Sequence, residues 1–558
     1  MTEALIKGWC PGALRPMRSG DGLIVRLRIT GGIVGVELAE QIARWSRRWG
    51  NGQIDLTNRA NLQLRGLSEG HLADLHDAMA EWDLLEMSAA GEAVCNVVSS
   101  PLSGLDPGAV LDIRPIVRAL ERRLATDTVL HDLPAKFGFA IDDGGSFGLA
   151  GVPADIRFEA QPGVEGPEFA ISLGGAAEDW TCRCRPNDLV DSAAALSRTF
   201  LTSSRSRESS IRRMRDLVAE RGAEAICREV GLALVGSSGP EPGDLAPNAV
   251  ILGLDPRISR GTHPTKVTIA CAATDARVKP EHDERGDGHR EWETERNKQV
   301  NRRDERETER AKWGNDHDER KTYRDECLIV ILGLDPRISR GTDPSKVPIE
   351  RVATDARVKP EHDDKKQPED HQKKKTAQGG PDAQDTSGEA IIVGVGLPFG
   401  RITADDLAAL ALAAAGGGAP NLRLTPWRAI LVPVPSFDAA SAMCANLAGR
   451  HFILDPDDPR RRVAACPGSP SCVHATTRVR DDASKLAAAL TGAPGTSIHV
   501  SGCAKGCAHP RPAALTLVGR DGSYDLVVDG LASSPPIHQN LTLDQVLQQL
   551  PSIVADPT

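Results

Sequence analysis

Between Glu281 and Glu326, 28 of 46 residues are Asp, Glu, Lys or Arg, mixed in sign and almost free of aliphatics. Such a stretch cannot bury enough apolar surface to offset the entropy of ordering its backbone. A near-perfect repeat flanks it. VILGLDPRISRGT at 250–262 returns at 330–342 and ATDARVKPEHD at 273–283 returns at 353–363, both at an offset of 80 residues. Two copies around a charged filler do not make a solenoid. The stretch that follows, KKQPEDHQKKKTAQGGPDAQDTSG at 365–388, has linker composition. Residues 248–387 therefore read as a repetitive, charged and disordered insertion, and any core must be assembled from 1–247 and 388–558.

Those two segments are long enough for several cores, the chain of 558 residues being 40% apolar. The beginning, MTEALIKGWCPG, lacks the apolar centre of a signal peptide, and no run is long and apolar enough to cross a bilayer. A cytoplasmic protein without membrane contacts is expected. Thiols stay reduced in that compartment, so the twelve cysteines are expected to be free, metal-bound or catalytic rather than paired. The formal charge of −10 argues against broad nucleic-acid binding and leaves room for a local basic pocket.

The two segments echo each other. GLIVRLRIT at 22–30 precedes the helical pattern VELAEQIARWSRRWG and the strand-like QIDLTNRANLQLRG. GLPFGRIT at 396–403 precedes ADDLAALALAAAGGG and NLRLTPWRAILV. Arg28-Ile-Thr30 matches Arg401-Ile-Thr403, and Leu56-Thr57 matches Leu424-Thr425. Thr403 and Asp406 form a capping box, and the glycines at 416–418 stop the helix. Each half opens as strand, helix, strand, which predicts an α+β architecture with internal pseudo-symmetry.

Four cysteines stand apart from the other eight. Cys466-x5-Cys472 and Cys503-x3-Cys507 lie in two Pro/Gly-rich loops, ACPGSPSCVH and SGCAKGCAHP. Four soft thiolates with backbone N–H donors around them suit a [4Fe–4S] cluster. Zinc is the main competitor, although its sites use tighter C-x2-4-C knuckles that only Cys503 and Cys507 approach. Unliganded structural cysteines are the third reading. The remaining cysteines, Cys10, Cys95, Cys182, Cys184, Cys227, Cys271, Cys327 and Cys444, are expected to be ordinary thiols.

The quartet resembles the cluster motif of the sulfite and nitrite reductase family, whose members hold a [4Fe–4S] cluster beside a tetrapyrrole. Thr57-Asn-Arg59-Ala-Asn-Leu-Gln63 resembles that family's T-x-R-x-x-x-Q strand, Asn96-Val-Val-Ser-Ser-Pro101 its next segment, and Leu133-Pro-Ala-Lys136-Phe its LP-x-KF motif. The resemblance implies two ferredoxin-like half-domains, 1–80 and 388–455. It also implies two α/β lobes related to each other by a pseudo-two-fold, a tetrapyrrole-binding domain at 81–247 and a cluster-binding domain at 456–558. Cys466, Cys472, Cys503 and Cys507 would hold the cluster. Arg59 and Lys136 would bind macrocycle carboxylates, with Arg28 and Arg65 as further candidates on alternating strand patterns.

Within the family, KGWCPGALRPMRSGDGLIVRLR, LPAKFGF and IHVSGCAKGCAHP resemble the oxygen-dependent branch that serves aerobic cobalamin biosynthesis. That branch hydroxylates precorrin-3A to precorrin-3B with lactone formation. Its cluster, a mononuclear non-haem iron, O2 and NADH-linked electrons from a reductase are implied with it. Two departures bear on the choice between this monooxygenase and a siroheme-dependent nitrite or sulfite reductase. Gly138 stands where siroheme enzymes have a second lysine, which favours a transient ligand over a permanent one. Cys95 stands where the family generally has arginine, and a thiol cannot grip a carboxylate with a fork of donors. A catalytically impaired remnant that still binds cluster or tetrapyrrole is the third reading.

Overall fold

The computed structural model describes residues 10–86, 88–174, 180–205, 210–235, 391–490 and 496–555. The expected insertion at 248–387, with Cys271 and Cys327, lies outside the described residues. The N-terminal segment runs β1 (Met17–Ser19), β2 (Gly22–Leu27), β3 (Ile33–Gly35), α1 (Val36–Trp49), β4 (Gln53–Leu56), β5 (Leu62–Leu67) and α2 (Leu72–Ala80). It continues with α3 (Ala89–Val94), β6 (Val97–Ser99), α4 (Arg114–Thr126), β7 (Phe139–Asp142), β8 (Ile156–Gln161) and β9 (Glu168–Leu173). β10 (Cys182–Cys184), α5 (Leu189–Ser204), α6 (Met214–Arg221), α7 (Ala223–Glu229) and β11 (Ala233–Leu234) complete it. The C-terminal segment repeats the plan. First come β12 (Ile391–Gly396), β13 (Arg401–Thr403), α8 (Ala404–Gly416), β14 (Asn421–Leu424), β15 (Ala429–Val434) and α9 (Phe437–Leu447). Then follow β16 (Val463–Ala465), α10 (Val479–Ala489), β17 (Ile498–Ser501), β18 (Ala513–Arg520), β19 (Ser523–Gly530), β20 (His538–Leu541) and α11 (Leu543–Ala555).

The half-domains are not self-contained. One sheet has the order β1-β2-β5-β4-β13 and the other β12-β15-β14-β3, so each half lends a three-residue strand to the other's sheet. The registers correspond: Arg401 pairs with Asp55 and Thr403 with Gln53, while Ile33 pairs with Arg423 and Gly35 with Asn421. Val34 and Ile402, at the centres of the exchanged strands, are buried, each burial contributing about 2 kcal/mol. Helices α1 and α8 pack against each other, and one core contains Leu27, Ile42, Trp45 and Leu64 together with Val393, Leu407, Leu410 and Val432. At the N-terminus of α8, half of the expected capping box is present: Asp406 N donates to Thr403 Oγ1 at 3.0 Å, while the Asp406 carboxylate accepts from that hydroxyl at 2.8 Å rather than from the Thr403 backbone N–H.

This topology corrects one part of the sequence echo. The equivalent of β13, Arg401–Thr403, is β3, Ile33–Gly35, and not Arg28-Ile29-Thr30, which precedes the turn into β3. Both turns use two consecutive left-handed residues, Gly31 and Gly32 in one half and Phe399 and Gly400 in the other. A non-glycine residue there costs on the order of 1 kcal/mol, and Phe399 is held by burial in the core of the last lobe. The Leu56-Thr57 and Leu424-Thr425 echo is structural. Each threonine hydroxyl accepts from the backbone N–H two residues on, that of Arg59 or Trp427, at 3.2 Å.

The two lobes share a second plan. In the first, β6, β7 and β8 are parallel and β9, β10 and β11 extend the sheet antiparallel. In the second, β16, β17 and β18 are parallel and β19 and β20 antiparallel. Each has its own apolar core, around Phe137, Phe139, Phe158 and Phe200 in one and around Val479, Leu486, Leu517 and Tyr524 in the other. Cys182 of β10 and Cys227 of α7, expected as ordinary thiols, are paired as a disulfide. Their Cα atoms are 6.4 Å apart, inside the separation that a disulfide spans. Among the described residues no helix is long and apolar enough to cross a membrane.

Candidate functional site

The four cysteines lie in the loops that leave the C-terminal ends of two neighbouring parallel strands. Cys466 follows β16 directly and its N–H donates to the Val500 carbonyl of β17 at 3.2 Å, while Cys503 lies two residues beyond β17. The crevice outside the carboxyl ends of parallel strands is where open α/β sheets present ligand sites. Cys466 is buried, Cys472 and Cys503 are half-buried and Cys507 is exposed. The Cys466 thiol is raised by burial, an effect opposed by backbone donors from Gly502 and Gly468 and reinforced by the neighbouring Cys472 and Cys503. Burial also raises Cys507, as do Cys503 and Cys472, against the opposing charges of Lys505 and Lys136. The four thiols thus lie within electrostatic reach of one another. The Gly502 N–H donates to Cys466 Sγ at 3.1 Å, and a Cβ on Gly502 would stand 2.6 Å from that of Ala475, so only glycine fits this close approach.

Whether these residues fit an iron–sulfur cluster is decided by donor type and spacing. Among the described residues, no three or more His, Cys, Asp or Glu side chains converge tightly enough to hold a single metal ion. Four soft thiols in two adjoining loops, with the Gly502 N–H on Cys466 Sγ, are the donor type that a cubane takes. The mononuclear iron implied by the resemblance has no such ligand set among the described residues.

Arginines pin both cysteine loops to the half-domains. Ser471 between Cys466 and Cys472 accepts from Arg65 Nη2 at 2.6 Å and from Ser19 Oγ at 2.5 Å. Gly20 packs so closely there that a Cβ would lie 1.9 Å from the Pro470 carbonyl oxygen. Ala508, next to Cys507, accepts from Arg428 Nη2 at 2.9 Å, and Arg428 holds the left-handed position of the β14–β15 hairpin.

Beside the loops lies a cationic face from the N-terminal segment. Asn96 organises it. Its Oδ1 accepts from Arg59 Nη1 at 2.7 Å and Arg28 Nη1 at 3.5 Å, and its Nδ2 donates to the carbonyls of Ala93, Ala135 and Phe137. Arg59 Nη2 also donates to the Lys136 carbonyl at 3.1 Å. Arg28 donates to the Cys95 carbonyl. Asp155 fixes the turn beyond Lys136, accepting from the Gly138 N–H at 3.0 Å and from both sides of the Arg213 guanidinium. Burial lowers the Arg26 guanidinium to about 10, a shift opposed by nearby Cys10 and deepened by the charges of Arg28 and Arg59. Burial lowers Arg59 too, with Cys10 opposing and Arg28 and Arg213 adding to the shift. Guanidinium groups that depress one another in this way are poised for an anionic ligand.

The structure brings Arg28 and Arg59 together at Asn96 with the Lys136 carbonyl beside Arg59, and the Lys136 charge is felt at Cys507. Arg65, expected beside them as a substrate ligand, does not join this face. It is 2% exposed, and Asp21, Asp55, Ser19 and Ser471 take its donors. Arg26, which the motif does not name, does join it. The signal was present, because Arg26 pairs across β2–β5 with Gln63, the glutamine of the T-x-R-x-x-x-Q strand. With the Gln63 amide oriented to accept, its oxygen lies 3.0 Å from Arg26 Nη2. Cys95 is buried, with Sγ 3.6 Å from the Glu121 carbonyl, and its thiol is pushed up to about 12 by burial, with the Glu86 charge adding to the shift. Gly138 has no steric need to be glycine, since a Cβ would approach nothing closer than 3.7 Å.

Comparisons with known proteins agree with this plan. Residues 15–82 match the nitrite/sulfite reductase ferredoxin-like half domain and residues 90–236 the nitrite and sulphite reductase 4Fe-4S domain. That second match falls on the first lobe, whereas the cysteine quartet lies in the second. A precorrin-3B synthase of Sinorhizobium sp is 28% identical over 95% of this chain and 84% of its own length. The ferredoxin–nitrite reductase of Synechococcus elongatus is 30% identical over 29% of this chain, which spans about a third of that relative (32%). The structure of the Mycobacterium tuberculosis NirA protein covers 96% of this chain and 80% of its own, with TM-score 0.59 and 16% identity, a likeness of fold. Residues 15–82 and 90–236 thus resemble domains of nitrite and sulphite reductases, and the chain resembles a precorrin-3B synthase along nearly its whole length.

Proposed function

We propose that this protein is an oxygen-dependent monooxygenase that converts precorrin-3A to precorrin-3B, hydroxylating the macrocycle and closing a lactone with NADH-derived electrons from a partner reductase. The observation that carries this reading is the convergence of Arg28 and Arg59 on Asn96, with Arg59 also on the Lys136 carbonyl and the Lys136 charge felt at Cys507. A polycarboxylate macrocycle has its counter-charges on that face, next to a four-thiolate site. Similarity to a precorrin-3B synthase over 95% of the chain supports the choice of macrocycle.

Cys466, Cys472, Cys503 and Cys507 would hold the [4Fe–4S] cluster, which when bound supplies one-electron transfer. The chain's own residues bind and orient. Arg59 and Arg28, fixed by Asn96, and Lys136 grip peripheral carboxylates, and burial of the guanidinium groups strengthens each grip. Ser471 and Ala508, held by Arg65 and Arg428, keep the cysteine loops at a fixed distance from that face.

A siroheme-dependent nitrite or sulfite reductase is the second reading, favoured by the match to ferredoxin–nitrite reductases. Iron, acid-labile sulfide and tetrapyrrole analysis of anaerobically purified protein separates the two. A broad cluster shoulder without haem-like bands, followed by turnover of precorrin-3A with O2, NADH and a reductase, is the expected result. Sharp siroheme bands would select the reductase. Bound cluster without turnover of either substrate would leave a binding-competent remnant.

A further inference from the structure

Arg28 belongs to two surfaces. Its Nη1 donates to the Cys95 carbonyl and, at 3.5 Å, to Asn96 Oδ1 on the face proposed for the macrocycle, while its buried Nε has no hydrogen-bond partner among the described residues. The same side chain lines a cavity of about 350 Å³ between β3, β6 and α4. That cavity is the inner extension of the macrocycle face and has room for several waters. Two carboxyls stand in it, Glu121 of α4 and Glu86 of the segment between α2 and α3. Helix α4 packs against the Thr30–Gly32 turn, and the Glu121 carbonyl lies 3.6 Å from Cys95 Sγ.

The other charged or titratable groups around these acids are Asp83 beside Glu86, Glu92 and Cys95 from α3 and its end, Arg114 and Arg118 on α4 itself, and Arg423 from β14. Burial raises the Glu121 carboxyl to about 7, against the Thr30 hydroxyl that donates to it and the Arg28 charge, with Glu86 adding to the rise. Burial raises Glu86 too, with Arg28 opposing and Glu92 adding. Arg28 is thus a cation that favours the ionised form of both acids, and it is also one that a macrocycle carboxylate takes. A carboxylate paired with Arg28 cancels that support, so each acid then keeps its proton to a higher pH.

We infer that Glu121 and Glu86 form a proton store for the macrocycle face, filled from solvent through the cavity when a polycarboxylate macrocycle engages Arg28. The inference rests on the macrocycle reading of that face and adds a source of protons to it. Hydroxylation by O2 puts one oxygen atom into the macrocycle and releases the other as water, consuming one proton for each electron that the donor delivers.

Calorimetric titration of the full-length protein with uroporphyrin, a polycarboxylate porphyrin, in buffers of different ionisation enthalpy reads the protons taken up on binding. At about pH 7.5, above the Glu121 value, the parent should take up roughly one proton per porphyrin, and at about pH 6, where the acid already holds its proton, less than half as much. Glu121→Gln should lower the uptake at the higher pH at least twofold without weakening porphyrin binding, and adding Glu86→Gln should remove the rest. A merely structural Glu121 would alter affinity or folding and leave the proton count alone. Should Glu121→Gln fail to fold, Glu86→Gln and the pH dependence of the parent decide. Porphyrin binding without proton uptake by the parent, or with equal uptake in the parent and the Gln variants, would overturn this inference and leave the macrocycle reading intact. No porphyrin binding at all would overturn both.

Discussion

The guanidinium of Arg65 donates at 2.6 Å to the carbonyl of Ser471, a bond that crosses 406 positions of sequence to join β5 of the first half-domain to the loop between Cys466 and Cys472. The same guanidinium is paired with Asp21 and Asp55, and Asp55 with Arg401 and Arg480. One buried carboxylate therefore ties a strand of each half-domain and a helix of the last lobe to the arginine that holds a cysteine loop. Burial alone would raise Asp55, but Arg480, Arg401 and Arg65 together hold it well below the usual carboxylate range. In the folded protein Asp55 thus stays ionised well below pH 4, so its contribution is complete above about pH 4, where the unfolded carboxylate titrates, and is lost progressively as pH falls from there toward the depressed folded value.

Arg65→Leu should lower stability by roughly 3 kcal/mol, because it leaves Asp21 without its arginine and Asp55 with two in place of three. It should also shorten the retention of iron by the protein. Thermal unfolding and iron release to a chelator check both. Full stability with unchanged iron retention would mean that Ser471 is held by Ser19 alone.

Much of this arrangement was legible in the sequence, and what was not has a physical cause. The cap at Thr403 and Asp406, the hairpins at Thr57 and Thr425 and the two cysteine loops are local, so residue type and spacing reveal them. The exchange of β3 and β13 is not local, since three-residue strands carry no periodicity that names their partner. For the same reason a chance match of Arg-Ile-Thr outweighed the true equivalence of 33–35 with 401–403. Arg65 and Arg26 alternate along neighbouring strands and look alike in sequence. Only the acids that surround Arg65 reveal its structural role, and only the cross-strand Gln63 places Arg26 at the face.

Serine at Cys466 or Cys503 should remove or destabilise the cluster, because a hard hydroxyl is a poor ligand for cluster iron. Cys444→Ser, on α9 and far in sequence from both loops, should leave iron and sulfide content unchanged. If both loop variants kept full iron and sulfide, the ligand set would be wrong.

Arg59→Ala should weaken tetrapyrrole binding by one to two orders of magnitude, the loss expected for a charged hydrogen bond of about 1.5–3 kcal/mol. Cluster content should not change, because Arg59 contacts Asn96 and the Lys136 carbonyl rather than a cysteine loop. Fluorescence or absorbance titration with a polycarboxylate porphyrin reads the first effect and iron analysis the second. Unaltered porphyrin affinity would remove Arg59 from the macrocycle site.

Asp143, in the loop after β7, is 1% exposed and its Oδ2 has no hydrogen-bond partner, while Oδ1 accepts from the Gly145 N–H at 3.0 Å. Burial and then the charge of Asp142 raise its carboxyl to about 7. The folded protein therefore keeps a proton that the unfolded chain releases near pH 4, and stability falls as pH rises between about 4 and 7. The whole contribution is on the order of 4 kcal/mol. Asp143→Asn carries no titrating proton, so it should be more stable than the parent at pH 8 and nearly equal to it at pH 4.5. Urea unfolding at the two pH values measures this difference. An equal effect of the substitution at both would show that Asp143 is ionised in the folded protein throughout that window.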